Sequence, residues 1–360
     1  MSEQRLRIRK VTREKARRKP RNEEKLGFGK FFSNHMFLMN YDTEKGWHKP
    51  RIEPYHKIVL DPAAMVLHYG QEVFEGLKAF SGEDRSIYLF RAKDNLKRFN
   101  RSSDRLCIPQ IDVEQVYDYL KRLLLIDKKW VPKAPGTSLY IRPNVIATDP
   151  FLGVRPSDTY LFYIMTGPVG AYYPEGFNPI SIYVSLDYVR AVRGGTGEAK
   201  TSGNYAASLA GQAEAKKLGF TQVLWLDAIE RKYVEEVGTM NIFFVVGDEI
   251  VTAPLMGTIL PGITRDSVIS ICRHWGMKVS ERPLGIDEII RGVQAGTVKE
   301  VFGTGTAAVI SPVGTIHFKG SDYAVAGGKT GKLSTRLFDY LTGLQYGKLK
   351  DPFGWVDKVL

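Results

Sequence analysis

An α/β (α+β) fold in two domains is what this sequence predicts, on three observations. Amphipathic stretches of helical length alternate with short strand-like runs in both halves of the chain. A segment dense in glycine and proline, from Gly167 to Gly176, interrupts that alternation near the middle. The 360 residues are 43% hydrophobic and 25% charged, which is globular usage with enough apolar surface for a real core, and the length suits two domains. The same figures exclude a wholly disordered chain. The longest apolar runs, such as Ile242 to Val246, are strand-length, far short of the roughly 20 residues of a membrane span. Two cysteines, Cys107 and Cys272, without any CxxC exclude a disulfide scaffold and a cysteine zinc site. A cytoplasmic location fits, and neither a metal nor a membrane is expected as a partner.

Residues 1–25 hold eleven Lys and Arg against four Glu, +7 of the chain's net +12. They read as a solvated, disordered basic tail. They lack the apolar core of a secretion signal and carry Glu3, Glu14, Glu23 and Glu24 where transit peptides avoid acids. Nucleic-acid binding would rest on this tail alone, and nucleic acid is not the expected partner. A first, smaller domain is expected over 26–168, starting where Phe28, Phe31 and Phe32 replace the charge run. In it, 86–90, 138–147 and 159–166 are rich in aromatic and β-branched residues and predict strands. Residues 94–106 predict a helix with Asp94 as N-cap and Leu96, Phe99 and Leu106 inward, and 113–126 place Val113, Val116, Tyr117, Leu120 and Leu124 on one stripe. An interdomain loop is expected over 169–179. The second, larger domain, 180–360, opens with strands at 180–186 and 222–226 flanking a helix at about 205–218. Strand follows at 233–246 and 249–252, with Gly247-Asp248 as a hairpin turn. A helix at 264–275, strands near 298–302 and 307–310, and a last helix at 334–344 complete it.

Three segments of the second half look unlike scaffold. In Gly194 to Tyr205, four glycines surround Lys200, so the backbone can approach a ligand closely. A lysine held there away from water can serve as amine nucleophile or base. Leu260-Pro261-Gly262-Ile263-Thr264 opens a helix, where backbone N–H groups and the dipole favour an anion; its plain alternative is a threonine-capped turn. Gly303-Thr304-Gly305-Thr306-Ala307 can form a nest for phosphate, although without GKS or GKT it is no nucleoside-triphosphate loop. A lysine with two phosphate-friendly loops suits pyridoxal 5'-phosphate, which also needs an acid for its pyridine nitrogen. Glu235 and Glu236 are the candidates, and on a strand only one of them can face a cofactor.

These segments resemble a known family. EAKTSGNYAASL around Lys200, EVGTMNIFF from Glu236, LPGITRDSV from Leu260 and FGTGTAAV from Phe302 are similar to the branched-chain amino acid aminotransferases, class IV enzymes of the fold-type IV pyridoxal phosphate group. So are FGKFFSNHMF from Phe28, LHYGQEVFEGLKAF from Leu67, FRAKDNLKRFNRSSDRLCIPQ from Phe90 and SLYIRP from Ser138, in the expected order over about 26–355. A D-amino acid aminotransferase or an aminodeoxychorismate lyase of the same fold is the nearest alternative.

The resemblance implies ping-pong transamination between L-leucine, L-isoleucine or L-valine and 2-oxoglutarate. Lys200 would be the Schiff-base lysine and proton shuttle, Glu236 the partner of the pyridine nitrogen, and Tyr205 that of the cofactor's phenolic oxygen. Arg98, Ile263, Thr264 and Thr306 would hold the phosphate, with Arg190 nearby. Phe28, Tyr69, Phe74, Tyr140, Tyr172, Thr239 and Ala307 would line the substrate pocket, with Thr239 and Ala307 at the α-carboxylate. Arg142, which alternation puts on the strand face of Tyr140, would receive the distal carboxylate of glutamate. The family is homodimeric, and Tyr69, Leu152 and Val154 match positions contributed across the interface. Where some animal members carry a CxxC pair, this chain has Ala308-Val309-Ile310-Ser311, so no thiol switch is expected.

Overall fold

The computed structural model describes residues 5–170 and 177–359, which form two compact units. The first comprises Met1–Tyr172, Ala199–Ser202 and Gly343–Leu360; the second comprises Tyr173–Glu198 and Gly203–Thr342. Among the described residues no helix is long and apolar enough to cross a membrane.

The first unit is a nine-stranded sheet. Its main path runs Arg7–Ile8, Gly46–Pro54, His35–Asp42, Thr159–Val169, Ser138–Ala147, Leu77–Ser81, Ile87–Phe90, Val356–Lys358, and Glu72–Phe74 pairs with Ser138–Ala147 off that path. Helices Ala92–Arg105 and Val113–Ile126 cover one face. Their Leu96, Phe99, Val116, Leu120 and Leu123 share a core with Phe37, Leu139, Ile141, Phe162 and Ile164. Strand Ser138–Ala147 therefore obeys a period of two, with Leu139 and Ile141 in the core and Tyr140 and Arg142 on the opposite face. The helix expected to start at Asp94 instead starts at Ala92, because Arg91 takes a left-handed φ of 50° at the N-cap and the Asp94 carboxylate accepts from Arg91 Nε at 2.7 Å.

Two expectations about the ends of the chain are corrected. The basic segment is ordered from residue 5. Arg7–Ile8 lie parallel to Arg51–Ile52, Arg9 N donates to Ile52 O at 2.8 Å, and Arg17 N donates to Asn34 Oδ1 at 2.8 Å. The backbone finds partners while the cations stay in water, so charge density alone did not decide order. Equally, Gly343–Leu360 leaves the second unit, and Val356–Lys358 pairs antiparallel with Ile87–Phe90. With this segment added, the first unit is the longer one, opposite to the expected order of sizes.

In the second unit the strand path closes on itself. Val234–Val237, Gln222–Leu226, Ile180–Val184, Val309–Phe318, Val298–Gly305 and Met240–Val246 pair in succession, and the last pairs back to the first through Glu236↔Asn241 and Val237↔Met240. Glu249–Thr252, Lys278–Glu281 and Ser321–Ala324 extend this six-stranded ring. Gly238 takes the first turn position of the closing hairpin at φ +57°, where a side chain would be strained, and Trp225 Nε1, fully buried, donates to its carbonyl at 2.9 Å. The helix expected over 205–218 divides into Ser202–Ala207 and Leu209–Lys217, because the Ser208 hydroxyl donates to Tyr205 O at 2.7 Å and competes with the helical ladder.

His35 fastens the N-terminal arm. Its Nε2 accepts from Val11 N at 2.9 Å, so its Nδ1 carries the proton and donates to buried Asp127 at 2.7 Å. His35→Phe is expected to cost about 1.5–3 kcal/mol, the worth of a hydrogen bond to a charged group. Denaturant unfolding reads that loss, and limited trypsinolysis should cut the arm at its arginines faster in the folded variant than in the parent.

Candidate functional site

The first unit holds one set of the expected residues. Arg98 is buried, 3% exposed, inside helix Ala92–Arg105, and so is no surface arginine. Its Nε and Nη2 donate to the two oxygens of Glu75 at 2.7 and 2.9 Å, and Glu75 is fully buried. Two parallel charge-assisted bonds fix the plane of the guanidinium. Glu75 was not singled out in the sequence; its signal is an acid inside the apolar run VFEGLKAF, significant only once its partner 23 residues away is known. Lys200 lies in the short segment Ala199–Ser202. Ser102 Oγ accepts from Lys200 N at 2.9 Å, Phe74 N donates to Lys200 O at 3.0 Å, and Thr201 Oγ1 donates to Glu72 O at 2.7 Å. The lysine backbone is thus held on both sides, and its Nζ stands 5.1 Å from the centroid of the Phe74 ring.

The solvent-side face of strand Ser138–Ala147 joins the aromatic residues. The rings of Phe28 and Tyr140 meet edge to face at 4.9 Å. Arg142 Nη2 donates to Tyr140 Oη at 3.0 Å, and the guanidinium lies 4.6 Å from the Phe74 centroid and 5.3 Å from that of Tyr140. An arginine against two aromatic faces keeps its charge beside an apolar wall. Lys78, opposite Tyr140 in the register, also escaped the sequence reading; burial pushes its ammonium down to about 8. Tyr69 Oη donates to Leu152 O, while Leu152 and Val154 are exposed at 63% and 86%. Tyr172 lies outside the described residues.

The second unit holds the other set. Arg190, Tyr205, Glu236, Thr239 and Leu260 line one recess with Asn204, Ser208 and Gly238. The Glu236 carboxylate, 2% exposed, is ion-paired through Oε2 with Arg190 Nη1 at 2.7 Å and accepts a hydrogen bond from Asn241 Nδ2 at 3.0 Å on Oε1. Arg190 is itself fixed by the carbonyls of Thr258 at 2.9 Å and Gly197 at 3.3 Å. Glu235 is also buried, but its Oε1 accepts from Thr258 Oγ1 at 2.6 Å and it does not line the recess. Burial pushes its pKa up, and that hydrogen bond and Arg190 offset the rise only in part. Of the two, Glu236 is the one that lines the recess.

Ile263 and Thr264 open helix Ile263–His274 with Gly262 as N-cap, and no side chain caps it, so the threonine cap is absent. Thr306 and Ala307 stand in the turn after strand Val298–Gly305, half-buried. Thr304, two residues earlier, is buried, and its Oγ1 has no hydrogen-bond partner among the described residues.

Gly76 makes the Tyr140–Arg142 contact sterically feasible: a Cβ there would lie 2.1 Å from Tyr140 Oη. Gly76→Ala is expected to push that ring aside, costing about 1–3 kcal/mol of stability as overpacked positions do and freeing Arg142. A denaturant titration with a crystal structure of the variant checks both.

A family profile described as amino-transferase class IV matches residues 72–316. Branched-chain-amino-acid aminotransferase 2 of Bacillus subtilis (strain 168) is 54% identical over 359 residues, covering 100% of this chain and 98% of that protein. Branched-chain-amino-acid transaminase 1 of the same strain is 53% identical over 335 residues, 93% of this chain and 94% of that one. Among solved structures, the branched-chain amino acid aminotransferase from Escherichia coli is 26% identical with a TM-score of 0.74, covering 86% of this chain and 97% of that chain. Another branched-chain amino acid aminotransferase, solved with pyridoxamine 5'-phosphate, is 28% identical with a TM-score of 0.74, covering 90% of this chain and 98% of that chain. The chain belongs to the class IV aminotransferases and, within them, to the branched-chain amino acid aminotransferases.

Proposed function

We propose that this chain reversibly transfers the amino group between L-leucine, L-isoleucine or L-valine and 2-oxoglutarate, giving the branched 2-oxo acid and L-glutamate, with pyridoxal 5'-phosphate as cofactor. The observation that carries the reading is the buried Glu236–Arg190 pair sharing a recess with Tyr205 and Thr239. A carboxylate paired with a fixed arginine is the acceptor that the N–H of a protonated pyridine nitrogen requires. The phenol of Tyr205 and the start of helix Ile263–His274 supply partners for a phenolic oxygen and a phosphate, and the buried hydroxyl of Thr304 is the kind of atom a bound polar group satisfies. The residues present therefore fit the cofactor, which supplies an electron sink for the bond broken at the substrate Cα.

Glu236 would accept the N–H of the pyridine nitrogen, with Arg190 as its counter-charge. Tyr205 orients the ring through its hydroxyl. Arg98, Ile263, Thr264 and Thr306 bind the phosphate, Arg98 with its plane set by Glu75. Lys200 Nζ would hold the cofactor and, once displaced by substrate, would take the proton from the substrate Cα and pass it to the cofactor rather than back to Cα; positioned proton transfer of this kind is worth roughly 10²–10⁴-fold. Phe28, Phe74, Tyr140 and Tyr172 exclude water around the apolar side chain, while Thr239 and Ala307 take the α-carboxylate. The working form is a homodimer, in which exposed Tyr69, Leu152 and Val154 serve the partner's site. Their exposure supports this, since large apolar groups in one region of a surface mark an interface.

Lys200→Ala should abolish turnover of leucine with 2-oxoglutarate while leaving the far-ultraviolet circular dichroism unchanged; retained activity would remove Lys200 from its role.

Arg142 separates recognition of the two substrates. A charge-assisted contact worth about 1.5–3 kcal/mol corresponds to roughly 10–150-fold. Arg142→Met should therefore slow the glutamate half-reaction by about that factor and the leucine half-reaction far less, read as single-turnover rates. Equal losses would make Arg142 structural only.

A further inference from the structure

The closing seam of the second unit brings one more side chain to Glu236. Asn241 stands directly opposite Glu236 in the register and is buried. Its Nδ2 donates twice, to Glu236 Oε1 at 3.0 Å and to Leu260 O at 2.9 Å. Both neighbours are acceptors, so the orientation of the amide is fixed. Its Oδ1 faces Gly262, where a Cβ would lie 2.0 Å away. One amide thus touches the carboxylate of the recess and the turn whose last residue caps helix Ile263–His274. Arg190 secures the other carboxylate oxygen.

We propose that Asn241 is a positioning residue that locks the Glu236 carboxylate to the Leu260–Gly262 turn, so that the ends of the site meeting the cofactor's pyridine nitrogen and its phosphate keep one fixed spacing. This rests on the proposed cofactor reading. Asparagine suits the task because it is neutral and brings two donors to two acceptors. Aspartate in its place would bring only acceptors beside Glu236 at neutral pH. Alanine would leave Glu236 Oε1 and Leu260 O without that partner and the space over Gly262 open.

The test measures equilibrium binding of pyridoxal 5'-phosphate to the full-length apoprotein, together with competition by inorganic phosphate, in the parent, Asn241→Ala, Glu236→Gln and the double variant. Asn241→Ala is expected to weaken pyridoxal phosphate binding by about tenfold or more, the lower end for a hydrogen bond to a charged group. The double variant should lose less than the product of the single losses, because both act on one carboxylate. Inorganic phosphate should bind several-fold more weakly to Asn241→Ala but not to Glu236→Gln, since only the former releases the turn. Losses that multiply, or phosphate binding unchanged in Asn241→Ala, would reduce Asn241 to a fold prop and overturn the proposal. Should the alanine variant fail to fold, Asn241→Ser enters the same cycle with the same criteria. Failure of the cofactor reading looks different: the parent itself would then bind no pyridoxal phosphate.

Discussion

A carboxylate buried against a fixed arginine constrains much of the second unit. Taking an ion from water costs several kcal/mol even after relaxation, so Glu236 is tolerated only with its partners in place. Arg190 supplies the opposite charge, and that guanidinium is in turn immobilised by the carbonyls of Gly197 and Thr258. Stretches of chain far apart in sequence, around 190, 197, 236, 241 and 258–262, are thereby tied to one group. The closed strand path serves the same end, since the hairpin that presents Glu236 is paired along both of its sides.

The first unit repeats the principle with the signs exchanged. There the buried cation is Arg98, and the buried carboxylate of Glu75 is its counterion and its clamp. Arginine serves here because its rigid fork can commit two donors to Glu75 and still offer others, which a lysine ammonium cannot do with comparable geometry. The aromatic wall is held by different means. Phe28, Tyr140 and Phe74 surround Arg142 through ring contacts and a single hydroxyl bond. Such contacts tolerate small displacements better than the buried ion pairs do.

What the sequence disclosed follows from what local pattern encodes. Helix Val113–Ile126 and strand Ser138–Ala147 have the expected bounds, because periodicity and composition act over a few neighbouring residues. Lys200, Glu236 and the two glycine-rich loops stood out by residue type and by their likeness to a family. Alternation reduced Glu235 and Glu236 to one without saying which; Thr258, more than twenty residues away, takes up the other. Glu75, Lys78 and Asn241 did not stand out for the same reason, since a polar residue in an apolar run gains meaning only from distant partners. The tail misled because its cations signal solvation of side chains and say nothing about backbone pairing.

That tail has a bearing on solubility. Strand Gly46–Pro54 would otherwise end the sheet of the first unit, with a row of backbone donors and acceptors open to any passing chain. The arm occupies part of that border, and its own outer side carries exposed Arg7 and Arg9. A second molecule approaching along this margin meets like charge before it meets a hydrogen bond. Concentrated high-salt buffers, which screen that repulsion over a few ångströms, therefore favour lateral sheet-to-sheet association, and a purification tag spliced into the arm exposes the border it shields.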